Sequence, residues 1–347
     1  MFELLLIILL LIPRQTSSVP SPKVLSDSIS HRNTAYDVST PEVTLRFGGD
    51  CLLAGYYETD VGDSVDRAFA DFDLLKGAEV SMVNLECPVT TRGRKIRKPY
   101  NFRMHPRFLS AFTSAGIDVV NLANNHIYDF GKVGLFDTIS YLDSVGIQHV
   151  GAGRSAKQAH RPVIIQAKGR RIALLGYYGG GEAPKATRRL PGVADRRIED
   201  IKDDVARIRR EKSADYIVVN LHWGTEKSES PDPDQIEFAH EVIDAGADLV
   251  VGHHTHVLQG IERYKSGVIV YSLGNFVFGG NSRDTYDTAL FEVRLTSSST
   301  EYRLIPIHIE RWQARELFGS ESENVVRHVR KLSRMFQESI FTNKEVR

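Results

Sequence analysis

From Val43 onward the chain alternates short apolar runs with stretches of helical spacing, and that alternation restricts it to an α/β fold. "VTLRFGG" (43–49) reads as a strand running into a glycine-rich turn, and "EVSMVNLE" (79–86) as a second strand that ends on a carboxylate. "HPRFLSAFTSAG" (105–116) has apolar positions at helical spacing and feeds the strand "IDVVNLANN" (117–125). "GLFDTISYLDSVG" (134–146) is helical again, closed by Gly146.

Two further strands, "RPVIIQA" and "RRIALLGY", are separated by "KGR" at 168–170, a hairpin signal. A charged helix at about 198–212 precedes the strand "DYIVVNLHW" (215–223), the helix "DQIEFAHEVIDAG" (234–246) and the strand "DLVVGHH" (248–254). The remainder is mostly β: "GVIVYSLGNFVF" (267–278), "TALFEVRLT" (288–296) and "EYRLIPIHIE" (301–310). A last helix is expected over about 321–339, with apolar spacing at Val325, Val329, Leu332 and Phe336. Hairpins in the middle and at the end predict mixed sheets. No internal repeat and no low-complexity segment follows residue 42.

The 347 residues suit one large domain or two small ones, and the strand–helix series favours one, over 42–317, with residues 318–347 as a C-terminal helix. Lys+Arg and Asp+Glu both number 44, so no global basic field points to nucleic acid. With only Cys51 and Cys87 there is no disulfide framework; stability must come from a core, and both thiols read as small buried residues. Residues 1–18 contain an apolar run, Leu4–Ile12, too short to span a bilayer but of the length of a signal-peptide core. A secretory signal or short membrane anchor is expected there, placing the protein outside the cytoplasm. Residues 19–41 read as a polar Ser/Pro linker.

Polar groups recur at one structural address, the end of each expected strand. "RFGGD" ends on Asp50, "MVNLE" on Glu86, "NLANNH" on Asn125 and His126, "VVNLHWG" on His222, and "LVVGHHTH" on His253, His254 and His256. In an open α/β sheet the carboxyl ends of the strands share one rim, where ligands bind. Taken alone, Asp50 after two glycines serves equally as a turn or cap residue, and a lone Glu86 or His222 as a structural one. Three imidazoles within four residues after an apolar strand have few structural uses, and metal binding is the chemistry they fit. The donors outnumber the needs of one tetrahedral site. They suit two divalent cations (Mn, Fe or Zn) sharing a carboxylate, an arrangement that activates water and holds both oxygens of a phosphoryl transfer. Such a centre still needs an acid for the leaving group, which a histidine beside a ligand could supply.

The order "GGD…NLE…NNH…HWG…GHHTHVLQGIE…YSLGNF" resembles the CapA (poly-gamma-glutamate capsule biosynthesis) family of the calcineurin-like metallophosphoesterase superfamily, from about Val43 to Glu310. The resemblance implies a four-layer α/β/β/α sandwich of the metallophosphoesterase type with a dinuclear metal centre. Asp50 matches the first-motif ligand, and Glu86 stands where most of the superfamily has a bridging aspartate. Asn125 and His126 match the pair in which the amide binds metal and the imidazole faces substrate. His222 matches the isolated ligand histidine. His254 and His256 match the final His-x-His, with His253, directly after Gly252, competing for the first role. The Asp-x-His of the wider superfamily is not here: Cys51 and Leu52 follow Asp50, so one usual imidazole is missing.

Asp129, three residues after His126, could hold the far ring nitrogen and set its tautomer. Arg94, Lys95, Arg97, Lys98 and Arg103 make a basic run beside the expected site, either a clamp for phosphate or polycarboxylate or a solvated loop. Lys98, Arg103 and Asn275 are the candidates for substrate contact, Asn275 serving equally as a turn residue. The expected activity is metal-dependent hydrolysis or transfer on a phosphorylated or anionic polymer substrate of the cell envelope, with a membrane synthase or export complex as partner. The alternative is a non-catalytic polyanion-binding accessory protein. A cytosolic nucleotide phosphodiesterase is a third possibility, weakened if residues 1–18 are processed.

Overall fold

The computed structural model describes residues 42–341. The Leu4–Ile12 segment and the linker to residue 41 lie outside them. The first strand, β1 (Val43–Leu52), does not turn at its glycines but runs through them. Gly49 is needed for close approach. A Cβ there would lie 2.0 Å from the Gly274 carbonyl oxygen, and that same carbonyl accepts the Asp50 N–H at 2.8 Å. We therefore expect Gly49→Ala to cost about 3 kcal/mol by pushing two backbones apart. A lowered denaturant midpoint checks this; a variant that unfolds with the wild type would show that the contact has slack.

After β1 come α1 (Tyr56–Val61), β2 (Val80–Leu85), α2 (Leu109–Ala115), β3 (Val119–Asn121), α3 (Gly131–Val145) and β4 (Gln148–Val150). A small ribbon formed by β5 (Ala152–Gly153) and a later partner encloses α4 (Ala156–Ala159) and the hairpin β6 (Val163–Ala167) and β7 (Arg170–Tyr178). That partner is β8 (Gly192–Val193), followed by α5 (Ile198–Arg210), β9 (Tyr216–His222), α6 (Pro233–Asp244) and β10 (Leu249–His253). The α6 start is a capping box, with Asp232 and Gln235 exchanging side-chain and backbone bonds. The chain ends through β11 (Ile261–Tyr264), β12 (Gly267–Val270), β13 (Asn275–Phe278), β14 (Tyr286–Leu295), β15 (Thr300–Glu310), β16 (Gln313–Glu316) and α7 (Gly319–Leu332).

Two mixed sheets result. The first has the order β16-β15-β14-β1-β2-β3-β4, with β13 pairing the far end of β1; the second has β11-β12-β10-β9-β7-β6. The 267–278 run expected as one strand is divided between them, β12 lying beside β10 and β13 beside β1. Alternating side chains build three cores. Leu45, Phe47, Met82, Val218, Val251 and Phe291 pack between the sheets. Val83, Leu85 and Val120 face Phe112, Leu135 and Leu142 of α2 and α3. Leu175, Val219 and Leu221 face Ile201, Val205 and Val242 of α5 and α6. The layers are thus helix, sheet, sheet, helix, the four-layer α/β/β/α sandwich expected.

Val325 and Val329 of α7 enter the inter-sheet core, so the C-terminal helix packs within the same unit as the sheets. It begins at Gly319 and passes into a 3-10 turn at Ser333, earlier than the expected end at 339. No helix among the described residues is long and apolar enough to cross a membrane.

Candidate metal centre

The strand ends converge because alternation and one bulge place them on the same face. On β2, Val80 and Met82 point between the sheets, and so therefore does Asn84; on β9, Val218 precedes Asn220 and His222 on that face. On β1, strict alternation from Leu45 and Phe47 would turn Asp50 away. The register with β2 slips between Phe47↔Met82 and Asp50↔Asn84, three residues against two, and this bulge returns Asp50 to the inter-sheet side. Cys51 and Leu52 then enter the helix-side core, leaving Asp50 as the donor from this strand end.

Glu86, just beyond β2, is fully buried, and neither of its carboxylate oxygens has a hydrogen-bond partner. An ionised carboxylate left this way is too costly to stand alone. It belongs to two groups of convergent donors, Asp50–Glu86–His222 and Glu86–His254–His256. His222 Nε2 lies 3.6 Å from Glu86 Oε1 and 2.8 Å from Asn125 Oδ1. His256 Nδ1 is 3.2 Å from Asp50 Oδ2 and 2.8 Å from Asn275 Oδ1, while its Nε2 is 3.9 Å from Glu86 Oε1. A carboxylate shared by two sets of carboxylate and imidazole donors, with the Asn125 amide oxygen beside His222, fits divalent cations of the Mn, Fe or Zn kind.

The histidine cluster divides here. His254 and His256 have φ of 95° and 59°, the left-handed region that non-glycine residues occupy at a cost of about 1–3 kcal/mol, usually at functional sites. The Thr255 hydroxyl, 3.0 Å from the Val257 carbonyl and 2.9 Å from Ser272 Oγ, pins this turn. His253, the last residue of β10, instead lies beneath: its Nε2 is 3.4 Å from Asn220 Oδ1 and its Nδ1 3.7 Å from Asp50 Oδ1. It stands outside both donor groups.

A buried amide network supports these donors; Asn124 is legible as a turn residue beside the Asn125–His126 pair, but the strand asparagines Asn84 and Asn121 have no counterpart in the sequence reading. Asn84 donates to Asp50 Oδ1 at 2.8 Å and accepts from Asn121 at 3.0 Å and Asn124 at 3.2 Å. Asn124 also takes the His126 and Ile127 N–H groups at 3.1 and 2.9 Å, which shapes the turn carrying Asn125 and His126. A signal was present: Val-Asn-Leu occurs at 83–85, 120–122 and 219–221, and each of these asparagines is fully buried between the sheets.

His126 is held by its neighbours rather than by the donor groups. Its Nδ1 lies 2.7 Å from Asp129 Oδ2, which also accepts the Phe102 N–H at 2.6 Å, and the Phe102 ring packs 4.5 Å from the imidazole. The proton on Nδ1 is thereby assigned, leaving Nε2 as the ring's reactive nitrogen. Lys98 is drawn into this assembly: Nζ is 2.6 Å from Asp129 Oδ1, donates to the Asn125 carbonyl at 2.8 Å and reaches Glu182 at 3.4 Å. Arg103 stands over the Phe130 ring, 4.7 Å from its centroid. Arg94, Lys95 and Arg97 are exposed on the loop that leads to Lys98, with no acidic partner among the described residues.

Burial favours the neutral form of His126, His222, His253 and His254, the form in which an imidazole coordinates a metal. It lowers His222 well below the ordinary value, with the charge of His254 adding to the effect, and it lowers His254 and His126. His253 is brought down to about 4 by burial against a weaker opposing pull from Asp50. Glu86 goes the other way, raised by burial and then by Asp50. For Asp50, burial pushes upward but the hydrogen bond and charge of His256 win, leaving it below the usual value.

The sign of the resulting pH dependence follows. Between the ordinary imidazole value of 6.5 and about 4, the unfolded chain binds protons that the folded imidazoles refuse, so metal-free protein loses stability as pH falls. Glu86 opposes this, but one carboxylate faces His222, His253 and His254. The expected loss is on the order of 1 kcal/mol per pH unit per net proton. Urea midpoints of chelator-treated protein near neutral pH and near pH 5 check it; equal midpoints would overturn the assignment of buried neutral imidazoles.

Residues 44–280 match the family described as bacterial capsule synthesis protein PGA_cap. The capsule biosynthesis protein CapA of Bacillus anthracis is 32% identical over 82% of this chain and 72% of its own length. A probable polyglutamine synthesis accessory protein of Mycobacterium tuberculosis is 32% identical over 74% of this chain and 73% of its own. Among solved structures, the NAD nucleotidase of Haemophilus influenzae aligns with a TM-score of 0.47 at 13% identity, covering 88% of this chain and 58% of that one. By its matched span and the identity to these relatives, the chain belongs to the CapA family of bacterial capsule synthesis proteins.

Proposed function

We propose that this protein is a metal-dependent hydrolase or transferase acting on a phosphorylated or acyl group of an anionic envelope polymer of the poly-gamma-glutamate type, or its precursor. The observation that carries this reading is Glu86, a fully buried carboxylate without a hydrogen-bond partner, shared by two donor groups. Asp50, Glu86, Asn125, His222, His254 and His256 would hold the divalent cations. When bound, these cations supply Lewis acidity at the phosphoryl or acyl oxygen and a nucleophile at neutral pH. His126 Nε2 takes up the proton released by the attacking water and delivers it to the leaving group, Asp129 stabilises the imidazolium while it lasts, and Lys98 holds Asp129 in place. The exposed Arg94, Lys95 and Arg97 attract the anionic chain.

An extracytoplasmic location, with residues 1–18 as signal or anchor, and a membrane synthase or export complex as partner belong to the same proposal and draw on the apolar run Leu4–Ile12; the zero net charge disfavours nucleic acid. A second reading, polyanion binding without turnover, draws on the first strand end, where Cys51 and Leu52 are buried in the core and offer no imidazole. The mycobacterial relative's description as an accessory protein points the same way. Elemental analysis of protein from its native compartment, joined to phosphomonoester and phosphodiester assays, tests the proposal. Tightly held metal with turnover is the expected result, and sub-stoichiometric metal without turnover would replace it with the second reading.

A further inference from the structure

A cavity of about 270 Å³ adjoins the candidate metal centre, with His256 and Asn275 in its lining. It is bounded as well by Arg283 and Tyr286 and by Asn324 and His328 of α7. The Tyr286 ring is fixed, since its hydroxyl donates to the Phe276 carbonyl at 2.6 Å and accepts the Phe278 N–H at 3.1 Å. The exposed Arg283 guanidinium lies over that ring, 5.4 Å from its centroid. Each acidic group of the lining lies beside an imidazole and not beside Arg283: Asp287 is 2.6 Å from His308, and Glu229 3.6 Å from His328. Arg283 has no acidic partner among the described residues. Leu258 and Val325 add an apolar surface.

We propose that this cavity is a carboxylate subsite. Arg283 takes the carboxylate of the polymer unit adjoining the group that reaches Glu86 and His256, and the aliphatic part of that unit lies against Leu258 and Val325. A single guanidinium, stacked and thus oriented, presents a planar fork that matches one carboxylate; a phosphate dianion would call for more positive charge than this lining holds. The volume lies just below the range of about 300–1,000 Å³ for ligand pockets, enough for one short unit and not for a folded chain. The inference rests on the reading of the neighbouring centre as the reactive site, and it assigns the substrate's flanking unit.

The test uses the metal-loaded full chain, wild type and Arg283→Gln, with a γ-linked glutamate trimer as probe in calorimetry. A γ-linked isoglutamine trimer, with α-carboxamides in place of the pendant α-carboxylates, serves as control, and p-nitrophenyl phosphate reports turnover. Losing one charge-assisted contact should weaken trimer binding about tenfold in the variant. The amide trimer should bind both proteins alike, and ester turnover should stay within about twofold. Equal trimer affinity in the two proteins would overturn the subsite, as would a wild type that does not distinguish trimer from amide. If neither protein turns over the ester yet the variant loses the trimer, the subsite stands and the hydrolytic reading falls. If both turn over the ester and bind the trimer alike, the hydrolytic reading stands and the subsite falls.

Discussion

Glu86→Gln is expected to lower affinity for divalent metal about 100-fold or more, a loss beyond the 10–100-fold seen when groups that only orient ligands are removed. Glutamine keeps the shape of the side chain and removes the charge that both donor groups share. Metal content after gel filtration, measured by mass spectrometry, reads the effect. A second measurement separates a ligand from a merely structural carboxylate. In metal-free protein near neutral pH, the substitution relieves a buried carboxylate with no partner, so the variant should unfold later than the wild type by about 1–3 kcal/mol. With metal present the order should reverse. A variant that retains metal, or that is less stable in both states, would place the cation elsewhere.

His126→Ala should reduce phosphoester turnover by about 10²–10⁴-fold, the range for loss of a positioned general acid, and leave the metal content intact. The geometry separates the two roles: His126 Nδ1 is taken by Asp129 at 2.7 Å, and the imidazole is absent from both donor groups. Neighbouring Asn125, by contrast, has its carbonyl oxygen 2.8 Å from His222. Esters with a good leaving group need less help from an acid, so the loss should be smaller for p-nitrophenyl phosphate than for an alkyl phosphate. Loss of metal in the alanine variant would make His126 a ligand instead.

Much of the candidate centre was readable because its residues occupy strand ends, a position marked by local pattern alone. "MVNLE" and "VVNLHWG" each break an apolar run with a polar residue, and that break is visible without any knowledge of neighbours. Lys98 shows the opposite case. Within a basic run it reads as a substrate clamp, yet in the fold its side chain is mostly buried and paired with Asp129. The buried asparagines were missed for a similar reason. Asparagine inside a strand counts locally as a weak residue, and its use appears only when Asn84 meets Asp50, 34 residues away.

The α/β class, the convergence of polar residues at the carboxyl ends of the strands and the donor types gathered there follow from local pattern alone. Period-two and helical spacing are local properties, and a polar residue ending an apolar run can be seen from its neighbours. Only the tertiary structure decided which imidazoles of "GHHTH" share Glu86. That depends on the left-handed backbone at His254 and His256 and on the bulge that turns Asp50 inward. It also divided residues 267–278 between two sheets, bringing Asn275 beside Asp50 and within 2.8 Å of His256. These outcomes rest on contacts between distant segments, such as Asp50 with His256, whose geometry is set by sheet pairing and not by the residues adjoining either one.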